Sequence, residues 1–214
     1  MIAAVVAVLM WLLFVSLLLL RRGRAERNVT YAALLIAFAM TLNVDFVYEA
    51  LDGVFGGANS VTLVADLALM VGVFFLGRGV MKAFEYQPLA IRIALSRTAL
   101  FVALACEVGA FLLIDLGSTT TTFMLDFGAQ PAAALYSVIQ FTYYAIVLSA
   151  MAVLAVRQIR ISRGIELVPP VMLIIGSLLG VSLSVVVFAM DLAHLAGDIV
   201  LMANVSVVYS PLLS

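Results

Sequence analysis

Ile2-Ala-Ala-Val-Val-Ala-Val-Leu-Met-Trp-Leu-Leu-Phe-Val-Ser-Leu-Leu-Leu-Leu20, followed at once by Arg21-Arg-Gly-Arg24, decides what kind of protein this is. None of its first nineteen residues carries a charge. At ~1.5 Å of rise each they make a helix of about 28 Å, the thickness of one bilayer core. A cleaved signal peptide would have basic residues before the apolar run and a small-x-small site after it. This stretch has neither, so it reads as a retained span whose N-terminus lies outside.

The rest of the chain repeats the pattern. Of 214 residues, 66% are hydrophobic and only 11% charged, with a mean hydropathy of +1.25. A soluble domain carries about 25% charged residues. This chain lacks the polar groups to cover its own surface, so lipid is part of its solvent. Apolar segments at about 2–20, 29–51, 61–76, 93–116, 132–156, 169–190 and 196–213 predict an all-α, polytopic membrane protein. It has seven transmembrane helices in a single domain. Pro88 and the Pro169-Pro170 pair fit the first turns of helices, where a missing N–H costs nothing.

All eleven Lys and Arg residues fall in three loops. Four follow span one (Arg21, Arg22, Arg24, Arg27), four lie between spans three and four (Arg78, Lys82, Arg92, Arg97), and three lie between spans five and six (Arg157, Arg160, Arg163). Under the seven-span reading all three loops are on one side. The positive-inside rule makes that side cytoplasmic, with the N-terminus outside, the C-terminus inside and a multi-pass placement in the inner (plasma) membrane. Span seven points inward and stops at Pro211-Leu-Leu-Ser214 without a basic flank, so a further cytoplasmic region after it is expected.

The acids are distributed differently. Nine of twelve, all but Glu26, Glu85 and Glu166, lie in spans or on the outer side. Asp45, Glu49 and Asp52 stand at i, i+4 and i+7, one helical face, with no basic residue in their segment. Glu49 and Asp52 close that helix towards solvent. Counting at ~1.5 Å per residue puts Asp45 roughly 24 Å from the inner surface and Asp66 roughly 8 Å below the outer one. Glu107 lies somewhat past the midplane of span four. Span five carries Tyr136, Gln140 and Tyr143 at i, i+4 and i+7, and span seven carries Asp198 and Asn204. Carboxyl groups at membrane depth are costly and face the bundle interior. If the helices close in a ring, these groups line an acidic depression open to the outside. The candidate ligand- or cation-binding residues are Asp45, Glu49, Asp66, Glu107, Gln140, Tyr143 and Asn204.

Simpler roles suit the remaining polar groups. Asp115, Asp126, Asp191 and Asp198 read as wet interface residues, His194 as a solvated loop histidine, Cys106 as a small buried filler and Trp11 as a packing residue. Gly176-x3-Gly180-x3-Ser184 is a small-residue ridge suited to close helix packing within the chain. A single Cys excludes an internal disulfide and a multi-cysteine metal site, and a single His excludes a multi-histidine zinc site.

The run from Arg27 to Leu76 resembles an uncharacterised actinobacterial family of seven-span integral membrane proteins, loosely labelled putative transporters. Thr41-Leu42, Val47-Tyr48, Leu51-Asp52, the Gly-rich turn at 53–57 and Ala58-Asn59 carry the resemblance. It implies seven spans, an outer N-terminus and a cytoplasmic region after span seven. It implies no activity.

Three functions fit. The first is a sensory or anchoring module whose outward acidic pocket takes a cation or small ligand. The second is a proton- or cation-coupled transporter, although the chain shows no internal repeat with paired broken helices. The third is an accessory subunit whose acids meet a membrane partner's basic residues. An enzyme is not expected. Gly197-Asp198 lacks the Gly-x-Gly-Asp setting of aspartyl intramembrane proteases, and the last span has no Lys for a retinal Schiff base. No cofactor and no nucleic-acid partner are expected; the bilayer, protons or a small cationic ligand, and a membrane protein are the expected partners.

Overall fold

A computed structural model describes residues 2–20, 24–84, 88–117 and 119–197. Those residues are almost wholly helical: α1 Ile2–Leu20, α2 Arg24–Leu42, α3 Asp45–Val54, α4 Ser60–Ala83, α5 Leu89–Ala94, α6 Arg97–Phe111, α7 Phe123–Phe127, α8 Pro131–Ile159 and α9 Val168–Ala196, the last entered through a 3-10 turn at Gly164–Leu167. Three helical segments are long and apolar enough to cross a membrane: α4, α8 and Gly164–Ala196. The bent pair Arg27–Leu42 and Asp45–Val54 makes a fourth if it is one span. The apolar stretch of α1, Ala4–Leu20, is shorter, and α6 has 15 residues. The expected span seven, with Asp198 and Asn204, lies outside the described residues.

The second predicted span is not one straight helix. It breaks at Asn43-Val44, and the two pieces meet at 83°. Side chains of the last turn of α2 turn back on its carbonyls at the break. Thr41 Oγ1 donates to the Ala37 carbonyl at 2.7 Å, and Asn43 Nδ2 donates to the Ala39 carbonyl at 2.9 Å. Such bonds share carbonyls with the ladder, which bends helices and favours their ends. Asp45 then opens α3, where a carboxylate suits the positive end of the helix dipole. The fourth predicted span is also interrupted. Ser96 Oγ accepts from Ala99 N at 3.0 Å and caps α6, which separates it from the short α5. Span six runs longer than predicted. The expected link at 191–195 is the last turns of α9, which ends at Gly197 in a left-handed conformation (φ 66°).

The principal packing among the described residues is an open row, α1 on α2, α2 on α4, α4 on α8 and α8 on α9, with α6 set against both α4 and α8. The acidic depression was conditional on a ring of seven helices, and the expected seventh lies outside the described residues. The core lies between α4 and α8, where Met70, Phe74, Met81, Leu95, Tyr143, Val147, Met151 and Leu154 are buried together. The outer faces of α1 and α9 leave Leu12, Leu18, Leu178, Leu179 and Val185 exposed, which water would penalise and lipid does not.

Basic residues collect at one end of this row. Asn28 and Val29, next to Arg27, lie against Gly79. Arg78 Nη1 reaches the Leu95 carbonyl at 3.4 Å. Arg78, Arg92 and Arg97 line one cavity, and Ala83, Phe84, Arg157 and Arg160 line another. The opposite end holds Asp52, Asn59 and Thr119, bonded to one another.

The small-residue ridge on α9 is used in part. A Cβ on Gly180 would stand 2.4 Å from Leu148 Cδ1 of α8, whereas Gly176 meets nothing within 4 Å. The tightest approach in the core is at Gly77, whose Cβ would lie 2.8 Å from Leu95 Cδ2 and 3.0 Å from Val147 Cγ1. Both neighbours are fully buried and have no room to move. Gly77→Leu is therefore expected to destabilise the protein by about 1–3 kcal/mol through overpacking. Gly176→Leu is expected to stay within about 0.5 kcal/mol of the parent. Thermal unfolding in detergent measures both, and equal effects at the two positions would contradict the packing described.

Candidate functional site

Two polar clusters occupy the acidic half of the row. The first is organised by Asp52, which is fully buried although the sequence reading left it in solvent. Its Oδ2 accepts from Asn59 N at 3.0 Å and from Thr119 Oγ1 at 2.7 Å, and its Oδ1 accepts from Val61 N at 3.2 Å. One carboxyl thus caps the start of α4 and holds the distant loop. Asn59, left-handed at φ 54°, extends the network. Its Oδ1 accepts from Tyr48 Oη at 2.8 Å and from Thr120 N at 2.9 Å. Tyr48 Oη also lies 2.9 Å from Thr62 Oγ1.

The loop continues outward from there. Exposed Asp126 takes hydrogen bonds from the Thr120 and Thr122 hydroxyls, and these hold its carboxyl below the usual range. Asp115 N donates to Gln130 Oε1 at 2.9 Å, and Gln130 Nε2 returns a bond to the Asp115 carbonyl at 3.0 Å. The long loop between α6 and α8 is tied down at both its base and its middle.

The second cluster lies between α4, α6 and α8. Tyr136 Oη of α8 donates to Asp66 Oδ2 of α4 at 2.6 Å. Gln140, one turn further along α8, lies on the same face beside that carboxyl. Its Nε2 donates to Tyr144 Oη at 3.1 Å. Tyr136, Gln140 and Tyr144 therefore form a stripe at i, i+4 and i+8. Glu107 of α6 is close enough to Asp66 for the two to feel each other's charge. It is fully buried, and among the described residues neither of its oxygens has a hydrogen-bond partner. Asp66 itself is partly exposed.

The residues expected to meet are thus divided. Asp66, Glu107 and Gln140 come together. Asp45 and Glu49 are exposed on α3 and are not joined to that cluster. The three acids of α3 do share a face, but only Asp52, at the helix end beside the turn, is buried. Tyr143 is buried in the apolar core with its hydroxyl unbonded, so Tyr144 takes the place predicted for it. The i+4 step from Gln140 was the available signal for Tyr144. For Asp52, the signal was an Asp seven residues before an Asn across a glycine turn.

Other sequence-based expectations also change. Cys106 is exposed on α6. Asp191 is buried, with Oδ2 unbonded. His194 is half-buried on the last turn of α9, its Nδ1 within 3.4 Å of where a Gly128 Cβ would stand. Trp11 donates from Nε1 to Thr41 Oγ1 at 3.0 Å and so ties α1 to the end of α2. Among the described residues, no three His, Cys, Asp or Glu side chains gather as they would around a metal ion.

Comparison of the chain with protein-family models, with curated proteins and with solved structures finds no match.

Asp52→Ala removes the cap of α4 and leaves buried backbone donors unpaired. It is expected to cost about 2–3 kcal/mol of stability. Asp45→Asn and Glu49→Gln, both exposed, are expected to change stability by less than about 0.5 kcal/mol. Denaturation of the three variants in the same detergent tests the ranking; a neutral Asp52→Ala contradicts it.

Proposed function

We propose that this chain is a polytopic membrane sensory or anchoring module, of seven spans with the N-terminus outside, that responds to a proton or small cation at the Asp66–Glu107 pair. The single observation that carries this reading is Glu107. A carboxyl buried with no donor on either oxygen and no basic partner is costly to keep. A proton or a bare cation relieves that cost, and an organic ligand is not needed to do so. Tyr136, Gln140 and Tyr144 steady Asp66, the more accessible member, beside it. The acidic depression expected from sequence becomes, on this reading, a compact carboxyl pair held by three helices.

The sensory reading is preferred over transport on the surroundings of the pair. Between it and the basic end lie Met70, Phe74, Leu95, Val147, Met151 and Leu154, all buried and apolar. A transported ion needs polar groups on both sides of its site, whereas a sensor needs access from one. Charge uptake at a pair that three helices share changes how those helices pack, which is the two-state element a sensor requires.

Infrared difference spectroscopy across a pH or cation step is expected to show a carboxylic-acid carbonyl band in the parent protein. Glu107→Gln is expected to lose it. Glu107→Met is expected to raise stability by about 1–3 kcal/mol, because it removes an unsatisfied buried group. No carboxyl signal in the parent would overturn the reading. Proton or cation flux in proteoliposomes that Asp66→Asn abolishes would replace the sensor with a transporter.

A further inference from the structure

At the basic end, α4, α5 and the start of α6 enclose an open cavity of about 530 Å³. Arg78, Arg92 and Arg97 converge on it from three different helices, with Ser96 between the last two. No acidic residue lines it among the described residues. Arg78 is half-buried and fixed through its bond to the Leu95 carbonyl, so one guanidinium is already positioned. Ser96 accepts from Ala99 N at 3.0 Å, which leaves its own proton to donate at the N-terminus of α6. Three guanidinium groups, a hydroxyl and a positive helix end form the donor set that a phosphate group matches.

The other wall identifies where that phosphate comes from. Leu89 and Ile93 stand one turn apart on α5 and are 70% and 60% exposed. A free anion gains nothing from such a surface. A lipid does, because its phosphate sits against the arginines while its acyl chain lies along the leucine and isoleucine. The cavity is also at the end of the row where the basic residues collect, the end that faces the headgroups of the inner leaflet in a membrane obeying the positive-inside rule.

We propose that this cavity binds the phosphate headgroup of an anionic phospholipid, held by Arg78, Arg92, Arg97 and Ser96. The site is separate from the Asp66–Glu107 pair and does not depend on its function. The lipid anchors α5 in the interface and fixes the connection between α4 and α6.

Native mass spectrometry of the full chain, released from nanodiscs of phosphatidylglycerol or of phosphatidylcholine, tests this. The parent protein is expected to retain phosphatidylglycerol selectively. The exposed pair Arg92→Gln/Arg97→Gln is expected to bind it roughly thirty-fold more weakly. Arg92→Lys/Arg97→Lys keeps the charge and is expected to recover most of the binding. Arg163→Gln, outside the cavity, is expected to bind as the parent does. Unchanged phosphatidylglycerol retention in the double Gln variant would overturn the proposal. So would inorganic phosphate displacing the lipid at comparable concentration, which would make the site one for a free anion.

Discussion

The carboxylate of Asp52 is the tie on which the acidic half of the molecule depends. A helix that starts inside a membrane protein begins with unsatisfied N–H groups, and no water is at hand to take them. Here one side chain answers two backbone donors at the start of α4 and the hydroxyl of Thr119 from a loop 67 residues away. Asn59 repeats the arrangement one step along, joining Tyr48 of α3 to the backbone of Thr120. Three segments distant in sequence are therefore fixed by two short polar side chains. These bonds hold α3 against the start of α4 after span two has turned at Asn43-Val44.

The position of α4 determines what lies below. With its start fixed by Asp52, α4 presents Asp66 to the Tyr136–Gln140–Tyr144 stripe of α8. Phe111 and Phe123 pack on Tyr136 at ring separations of 5.7 and 6.1 Å and shield the outer side of that contact. On the other side the apolar α4–α8 core begins, with Gly77 allowing the helices to approach. The carboxyl pair is thus placed between an aromatic layer and an aliphatic one, and both are set by the same two helices.

Much of this was legible in the sequence. Uncharged runs and the grouping of Lys and Arg locate the helices and collect the basic residues at one end, because hydropathy and charge act locally and add along a segment. Asp66, Glu107 and Gln140 were found for the same reason: a polar group in an apolar run stands out. The break at Asn43 was not legible, since Thr41 and Asn43 are ordinary in a helix until their side chains turn back on its carbonyls. Asp52 was misplaced because its partner Thr119 is remote, and depth counting treats every acid near a helix end as solvated. Helix order in the row was not legible either, since it follows packing at Gly77, Gly79 and Gly180, where small residues admit particular neighbours.

Several buried polar atoms lack partners, yet they do not weigh equally. Ser137, Ser177 and Tyr143 each leave a hydroxyl unbonded. A serine hydroxyl has a local remedy, the carbonyl one turn back, and Ser184 takes it with Gly180 at 3.0 Å. A carboxylate has none: it only accepts, and the N–H groups in the middle of its own helix are already committed. Asp66 solves this with a tyrosine from α8, and Asp52 with the free N–H groups at the start of α4. Glu107, mid-helix on α6, has neither a free helix end nor, among the described residues, a facing donor, and leucine or methionine would fill the same volume without the cost. Packing does not account for a carboxyl there, which is why the proposed uptake of positive charge is placed at this residue.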